Sequence, residues 1–217
     1  NVISTLTDGS RYILNARGYD NAGNLSAMTT TYFKWDTTVP SAVLQKPSQE
    51  YHAELGIISG TAKEEGSGDF ISGLEKVRIA IQRDSNDNKS FSDLVDEYWK
   101  GNVWEIVEGG YWQNQTNLVD NDWTLTGAST PTWVDNKLYK VRVRAVDGAK
   151  NVSLERSTTF YYDTIKPTVL INLPANNNPV SELPTISGIA GDTSPGKLWR
   201  TQLKVRVGSM YWDPNAT

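Results

Sequence analysis

The sequence predicts an all-β protein built from tandem β-sandwiches, with one complete domain flanked by two partial ones. Three observations predict this fold class. Apolar and polar residues alternate along short segments, and the turns between these segments are rich in Asp, Asn and Gly. A stretch of about 29 residues also occurs twice. Hydrophobic residues make up 38% of the 217-residue chain, which suits the thin core of a sandwich.

The repeat aligns residues 12–40 with residues 139–167 without a gap. The identical pairs, each 127 positions apart, include Tyr12 and Tyr139, Asp20 and Asp147, Asn24 and Asn151, Ser26 and Ser153, Phe33 and Phe160, Asp36 and Asp163, and Pro40 and Pro167. The offset becomes 128 where IISGTA at 57–62 matches TISGIA at 185–190. Agreement of this length indicates one structural unit that recurs along the chain.

Each copy of the repeat is predicted to contain a β-hairpin. Val141, Val143 and Ala145 alternate with Arg142, Arg144 and Val146, the period of a strand with one buried face. Residues 29–35 and 158–162 are predicted to be the second strands, because Thr and aromatic residues favour strands. The turns DNAGN and DGAKN contain the Asp, Asn and Gly that tolerate tight backbone angles.

The predicted domain boundaries follow from the repeat. Residues 40–166 contain about seven predicted strands, the count of an immunoglobulin-like β-sandwich. Residues 1–39 correspond to the last strands of such a domain, and 167–217 correspond to the first. Two interpretations stay open: the partial ends complete each other between copies, head to tail, or adjoining repeats of a longer protein cover them.

The hairpin turn and the segment after it carry a motif. It reads Asp-x-Ala-Gly-Asn-x-Ser and then Asp-Thr-Thr-x-Pro, at Asp20, Ala22, Gly23, Asn24, Ser26, Asp36, Thr37, Thr38 and Pro40. This motif resembles the bacterial immunoglobulin-like repeats of large surface proteins and adhesins. The second copy departs from it, with Gly148 and Lys150 in the turn and DTIKP after the hairpin. The resemblance implies a non-catalytic structural module of an extracellular or cell-surface fibre, stalk or adhesin.

Acidic and amide side chains lie near the predicted domain junctions. They are Asp20, Asn24 and Asp36 and, one period later, Asp147, Asn151 and Asp163. Calcium prefers several carboxylate and carbonyl oxygens, so we predict calcium as the one cofactor that these residues suggest. The same residues also form Asx turns without any metal. No dense D-x-D-x-D loop decides between the two interpretations.

The aromatic-rich segment 98–133 carries the alternative function, a carbohydrate- or protein-binding module. Its candidate ligand-binding residues are Trp104, Trp112 and Trp123. Exposed aromatic rings stack on sugars or on a protein partner. A core poor in Leu and Phe would use the same residues for packing.

Other chemistry has little support in the sequence. The chain has no cysteine, and its only histidine, His52, lies in a polar stretch predicted to be solvated. The adjacent Glu64 and Glu65 are expected to form a solvated face, and no phosphate loop or zinc spacing occurs. We therefore expect no enzyme activity.

The expected partners follow from charge and hydropathy. The net charge of −4 is spread along the chain, which argues against nucleic acid. The sequence has no apolar stretch of about 18 residues, so we expect no insertion of this segment into a membrane. We expect neighbouring copies or repeats of the same protein as partners, together with a glycan or a cell-surface receptor.

Overall fold

A computed structural model describes residues 5–66, 68–92, 95–115 and 118–212. The chain is all-β, as predicted, and forms two compact units, Asn1–Tyr162 and Asp163–Thr217. The strands of the first unit are β1 (Ser10–Ala16), β2 (Thr29–Trp35), β3 (Ser41–Lys46), β4 (Tyr51–His52), β5 (Ile57–Lys63), β6 (Leu74–Arg83), β7 (Glu97–Trp99), β8 (Trp104–Ile106), β9 (Gln113–Gln115), β10 (Asp122–Thr126), β11 (Lys137–Asp147) and β12 (Arg156–Tyr162). Those of the second are β13 (Thr168–Leu173), β14 (Ser187–Gly191), β15 (Arg206–Val207) and β16 (Met210–Tyr211). One short 3-10 turn spans Gly127–Ser129, and no helix in the described ranges could cross a membrane.

Two sheets enclose the core of the first unit. One has the strand order β10-β5-β3, and the other has the order β4-β12-β11-β6-β7-β8 with β9 also paired to β6. Ile58 and Trp123 from the first sheet share one buried cluster with Ile79, Val141 and Phe160 from the second. Strands from both sheets therefore close one sandwich-like core.

The alternation predicted for residues 141–146 is confirmed in β11 as far as Ala145, and Val146 is buried as well. Val141 and Val143 are fully buried, whereas Arg142 and Arg144 lie on the opposite face of the strand. Full burial of each such valine stabilises the fold by about 1.5–3 kcal/mol relative to an exposed one. Hydrophobic burial thus fixes the face that β11 turns to the core.

The hairpin β1–β2 repeats the geometry of β11–β12. Both are antiparallel pairs, as predicted. Tyr12 stacks on Phe33 with 5.4 Å between ring centroids, and Tyr139 stacks on Phe160 at 5.5 Å. The match extends to the interplanar angles of 21° and 23°. One local sequence pattern therefore gives one local structure twice.

The second unit repeats the pairing of β3 with β5. Val169 lies opposite Ala190 in β13–β14, as Ala42 lies opposite Ala62 in β3–β5, and both pairs shift register near the end of the first strand. The sequence also predicts a third strand over residues 198–207, and its extent is wrong, because only Arg206–Val207 is a strand there. The predicted division into three domains stays a prediction.

Candidate metal centre at the repeat junction

The turn after β11 is built by Asp147 and Asn151. One carboxylate oxygen of Asp147 accepts a hydrogen bond from the Asn151 backbone N–H at 2.8 Å, and the other accepts one from the Asn151 side-chain amide at 2.8 Å. Asp20 and Asn24 form the same pair of bonds at 2.8 and 2.7 Å. The predicted Asx-type turn is therefore present in both copies, but Asp147 is buried and Asp20 is exposed.

Asp36 brings the end of the β1–β2 hairpin to this turn. Its carboxylate is nearly buried and accepts hydrogen bonds from the backbone N–H groups of Thr38 at 3.1 Å and Ser72 at 2.6 Å. The Asn151 side-chain amide donates to the carbonyl oxygens of Asp36 at 3.1 Å and Thr38 at 3.2 Å. Asn151 thereby ties the hairpin to the sandwich.

Glu64, just after β5, supplies a third carboxylate. One ligand oxygen each from Asp36, Glu64 and Asp147 lies within 4.8 Å of the other two. Burial raises the pKa of Glu64, and the carboxylates of Asp36 and Asp147 raise it further. Among the described residues, no Lys or Arg pairs with any of the three.

The cluster suits a hard divalent cation. The Oε2 atom of Glu64 is buried and has no hydrogen-bond partner within the described ranges. Calcium binds six to eight oxygens and takes carboxylates readily. Buried like charges without a counter-ion cost free energy, which a cation among Asp36, Glu64 and Asp147 would offset. We call the set Asp36, Glu64, Asp147 and Asn151 the repeat junction.

The structure divides the six predicted calcium ligands among three places. Asp36, Asp147 and Asn151 come together at the repeat junction, while Asp20 and Asn24 form their own exposed turn. Asp163 lies in the second unit, where its Oδ2 atom is 2.5 Å from the position that a Cβ on Gly196 would take. The six residues therefore do not form one kind of site.

Glu64 is the junction residue that the sequence interpretation missed. Its expected place on a solvated face is wrong, because the end of β5 turns it towards Asp36 and Asp147. The repeat contained a signal, since Asp192 stands one period later. The Asp192 Oδ2 atom lies 2.8 Å from the same Cβ position on Gly196 that Asp163 approaches. A carboxylate, Glu64 in one copy and Asp192 in the other, thus lies near the Asp that begins the DTxxP segment in both copies.

The three candidate tryptophans differ in their surroundings. Trp123 is fully buried, and its indole N–H donates to the Thr61 carbonyl oxygen at 3.2 Å, so its proposed ligand-binding role is wrong. Trp104 is half-buried against Trp99 and Tyr139, with ring centroids 5.5 and 5.7 Å away. Its ring therefore belongs to the edge of the core.

Trp112 and His52 are both half-buried. The Trp112 ring lies under the guanidinium groups of Arg144 at 4.1 Å and Arg142 at 5.0 Å. The ring of His52 meets Phe160 edge-on at 5.5 Å, so His52 is only partly solvated. Burial lowers the pKa of His52.

No protein-family model, curated protein or solved structure matches this chain. The resemblance to bacterial immunoglobulin-like repeats therefore rests on the motif at residues 20–40 and its second copy.

Proposed function

We propose that this chain is a non-catalytic structural module of an extracellular bacterial repeat protein, such as a fibre, stalk or adhesin, with calcium at its repeat junction. The observation that carries the proposal is the convergence of Asp36, Glu64 and Asp147 where the β1–β2 hairpin meets the sandwich. A catalytic role would need groups that converge on a substrate pocket. These carboxylates instead meet between two structural elements.

The position of the junction suits a mechanical role. Residues 37–40 connect the β1–β2 hairpin directly to β3, so tension along the chain passes through this link. Calcium held by Asp36 on one side and by Glu64 and Asp147 on the other would cross-link the hairpin to the sandwich. Separating them would then require coordination bonds to break as well as the Asn151 hydrogen bonds.

Single-molecule pulling of the full chain from its two ends tests this role. We expect an unfolding force that is higher in millimolar calcium than in chelator. Glu64→Gln removes this increase, and Glu65→Gln, whose carboxylate pairs with Lys63 at 3.0 Å, is the matched control. Equal unfolding forces in calcium and in chelator would contradict the proposed calcium site. A chain that extends without resistance would contradict the structural role.

We also propose that the β1–β2 hairpin of one copy covers the β13–β14 pair of another copy, head to tail. Leu14 is 48% exposed, whereas Val141, one period later, is fully buried. Ile186 is 39% exposed, whereas Ile58, one period earlier, is fully buried. Val141 and Ile58 pack in the same core. The same packing would bring Leu14 of one copy and Ile186 of another copy into one core.

Sedimentation velocity over a range of concentrations tests the assembly. We expect the chain to self-associate. Leu14→Asp or Ile186→Asp should prevent this, because each puts a charge on one of the two apolar surfaces that meet. A mixture of the two variants should form dimers and nothing larger, because each still offers one intact end. Ile13→Asp, on the other face of β1, is the control. A strictly monomeric wild type would overturn the proposal.

A further inference from the structure

We propose that the outer face of β6 and β11 is an oxyanion-binding site formed by Arg78, Arg142 and Arg144. The proposal concerns a different face of the molecule from the repeat junction and does not depend on the structural role. It assigns a ligand class, a carboxylate, sulfate or phosphate group, to a cluster of positive charge in an acidic chain.

The strand register brings the three arginines together. Arg144 of β11 lies directly opposite Arg78 of β6. Arg142 is two residues along β11 and so shares the same face. Side chains that face each other in an antiparallel pair have Cβ atoms about 4.5–5.5 Å apart, and like charges there are destabilising. Nothing about packing a sandwich core requires this arrangement, because the core lies on the other face.

The guanidinium groups have unused donors. The Nε atoms of Arg78, Arg142 and Arg144 are all buried without a hydrogen-bond partner in the described part of the chain. Arg142 donates to the Tyr98 hydroxyl at 3.2 Å, and its Nη1 atom lies 3.8 Å from the Glu155 carboxylate. Burial lowers the pKa of Arg144, and the charges of Arg78 and Arg142 lower it further. Buried donors are nearly always paired in proteins, so these three point to an acceptor that the described residues do not supply.

Aromatic rings hold the arginines in place. The Arg144 guanidinium lies 4.1 Å from the Trp112 ring centroid, and Arg142 lies 5.0 Å from Trp112 and 5.5 Å from Tyr98. A Cβ on Gly110 would be 3.2 Å from the Tyr98 hydroxyl and 3.4 Å from Arg142 Nη2, so this loop packs closely on the cluster. Cation–π contact stabilises the charges but does not satisfy N–H donors, so the three Nε atoms still lack acceptors among the described residues.

An oxyanion matches both the charge and the geometry. Guanidinium groups donate paired N–H bonds to carboxylate, sulfate and phosphate oxygens, and three of them surround one anionic group favourably. The whole chain carries a net charge of −4, so attraction comes from the local cluster rather than from the overall field. The anion is either a free ion or a group carried on an acidic polysaccharide.

Two probes distinguish these sources in the full chain. The first is the melting temperature in sodium sulfate against sodium chloride at matched ionic strength. The second is calorimetric titration with polygalacturonate. We expect Arg142→Gln and Arg144→Gln to weaken binding by about tenfold or more. Lys34→Gln, the same charge change at an exposed site on β2, should leave binding unchanged.

A sulfate-specific gain in wild type that the arginine variants lack supports a free ion, and polygalacturonate binding alone supports a polymer-borne group. Arg144→Lys keeps the positive charge but loses the paired N–H donors of the guanidinium group. This variant should therefore fold normally and bind the anion more weakly. The proposal is overturned if neither probe distinguishes wild type from Arg144→Lys and the two Gln variants.

Discussion

The side-chain amide of Asn151 donates a hydrogen bond to the backbone carbonyl oxygen of Asp36, 115 residues earlier, at 3.1 Å. The bond joins the turn after β11 to the end of the β1–β2 hairpin. Asn24, one period earlier, donates to Asp20 within its own exposed turn. The same local motif therefore serves only its turn in one copy and spans a junction in the other.

Asn151→Ala should lower the free energy of unfolding by about 2–3 kcal/mol, because it removes several hydrogen bonds and leaves the buried Asp147 carboxylate short of a donor. Urea denaturation followed by tryptophan fluorescence measures the change. Asn24→Ala is the control and should lower it by less than about 1 kcal/mol, because water replaces the lost bond at an exposed site. An equal decrease in the free energy of unfolding for Asn151→Ala and Asn24→Ala would show that the long-range bond to Asp36 contributes nothing to stability.

Ser153→Ala should also be costly. The Ser153 hydroxyl oxygen accepts the Ala145 backbone N–H at 2.8 Å in a buried setting, so the variant leaves this donor unpaired and costs about 1–3 kcal/mol. Ser26 accepts the Gly18 N–H at 2.9 Å in the equivalent but exposed turn. Ser26→Ala should therefore lower the melting temperature by less than Ser153→Ala does. A larger decrease for Ser26→Ala would contradict the role of burial.

Gly60→Ala should destabilise the sandwich by at least about 2 kcal/mol. A Cβ there would lie 1.9 Å from the Val43 carbonyl oxygen and 2.6 Å from the buried Trp123 ring. Gly56→Ala is the control, because no described residue other than its two chain neighbours has an atom within 4 Å of its Cβ position. Urea midpoints measure both variants, and a Gly60→Ala protein as stable as Gly56→Ala would contradict the close approach of β3, β5 and β10.

The stability of the cation-free chain should depend on pH through Glu64. Its pKa in the folded chain is raised above the ordinary 4.5, so the folded state retains a proton that the unfolded state releases. The contribution of Glu64 is therefore largest below 4.5 and is lost as pH rises through its folded pKa. In chelator, wild type should lose stability relative to Glu64→Gln as pH rises from about 4 to about 7.

Calcium should reverse this dependence, because it binds the deprotonated carboxylates. Urea denaturation at several pH values, in chelator and in calcium, makes the comparison. A difference between wild type and Glu64→Gln that does not change with pH in either condition would contradict the placement of Glu64 beside Asp36 and Asp147.

Local sequence patterns predicted the β-hairpins and the turns correctly. Alternation predicted the buried face of residues 141–145, and the Asp–Asn spacing predicted the turns at 20–24 and 147–151. These features depend on residues close together in the chain, so periodicity and turn chemistry are enough to find them.

The composition of the junction could not be predicted in the same way. Asp36 from one copy meets Asp147 from the next, so matching positions within a single copy does not pair them. Glu64 follows a strand in a polar stretch, where a carboxylate is usually solvated, and only the tertiary fold buries its oxygen. Trp123 was ambiguous for a similar reason, because aromatic residues serve both cores and surfaces until their strand is placed.

Calorimetric titration of calcium into the full chain tests the repeat junction most directly. We expect saturable binding with a Kd of about 0.1–1 mM, as in extracellular calcium modules, and a melting temperature that rises with calcium. Asp147→Asn should abolish both effects, and Asp20→Asn, its exposed counterpart one period earlier, should leave them intact. No heat of binding and no shift in melting temperature up to about 10 mM calcium would contradict a calcium site at the repeat junction.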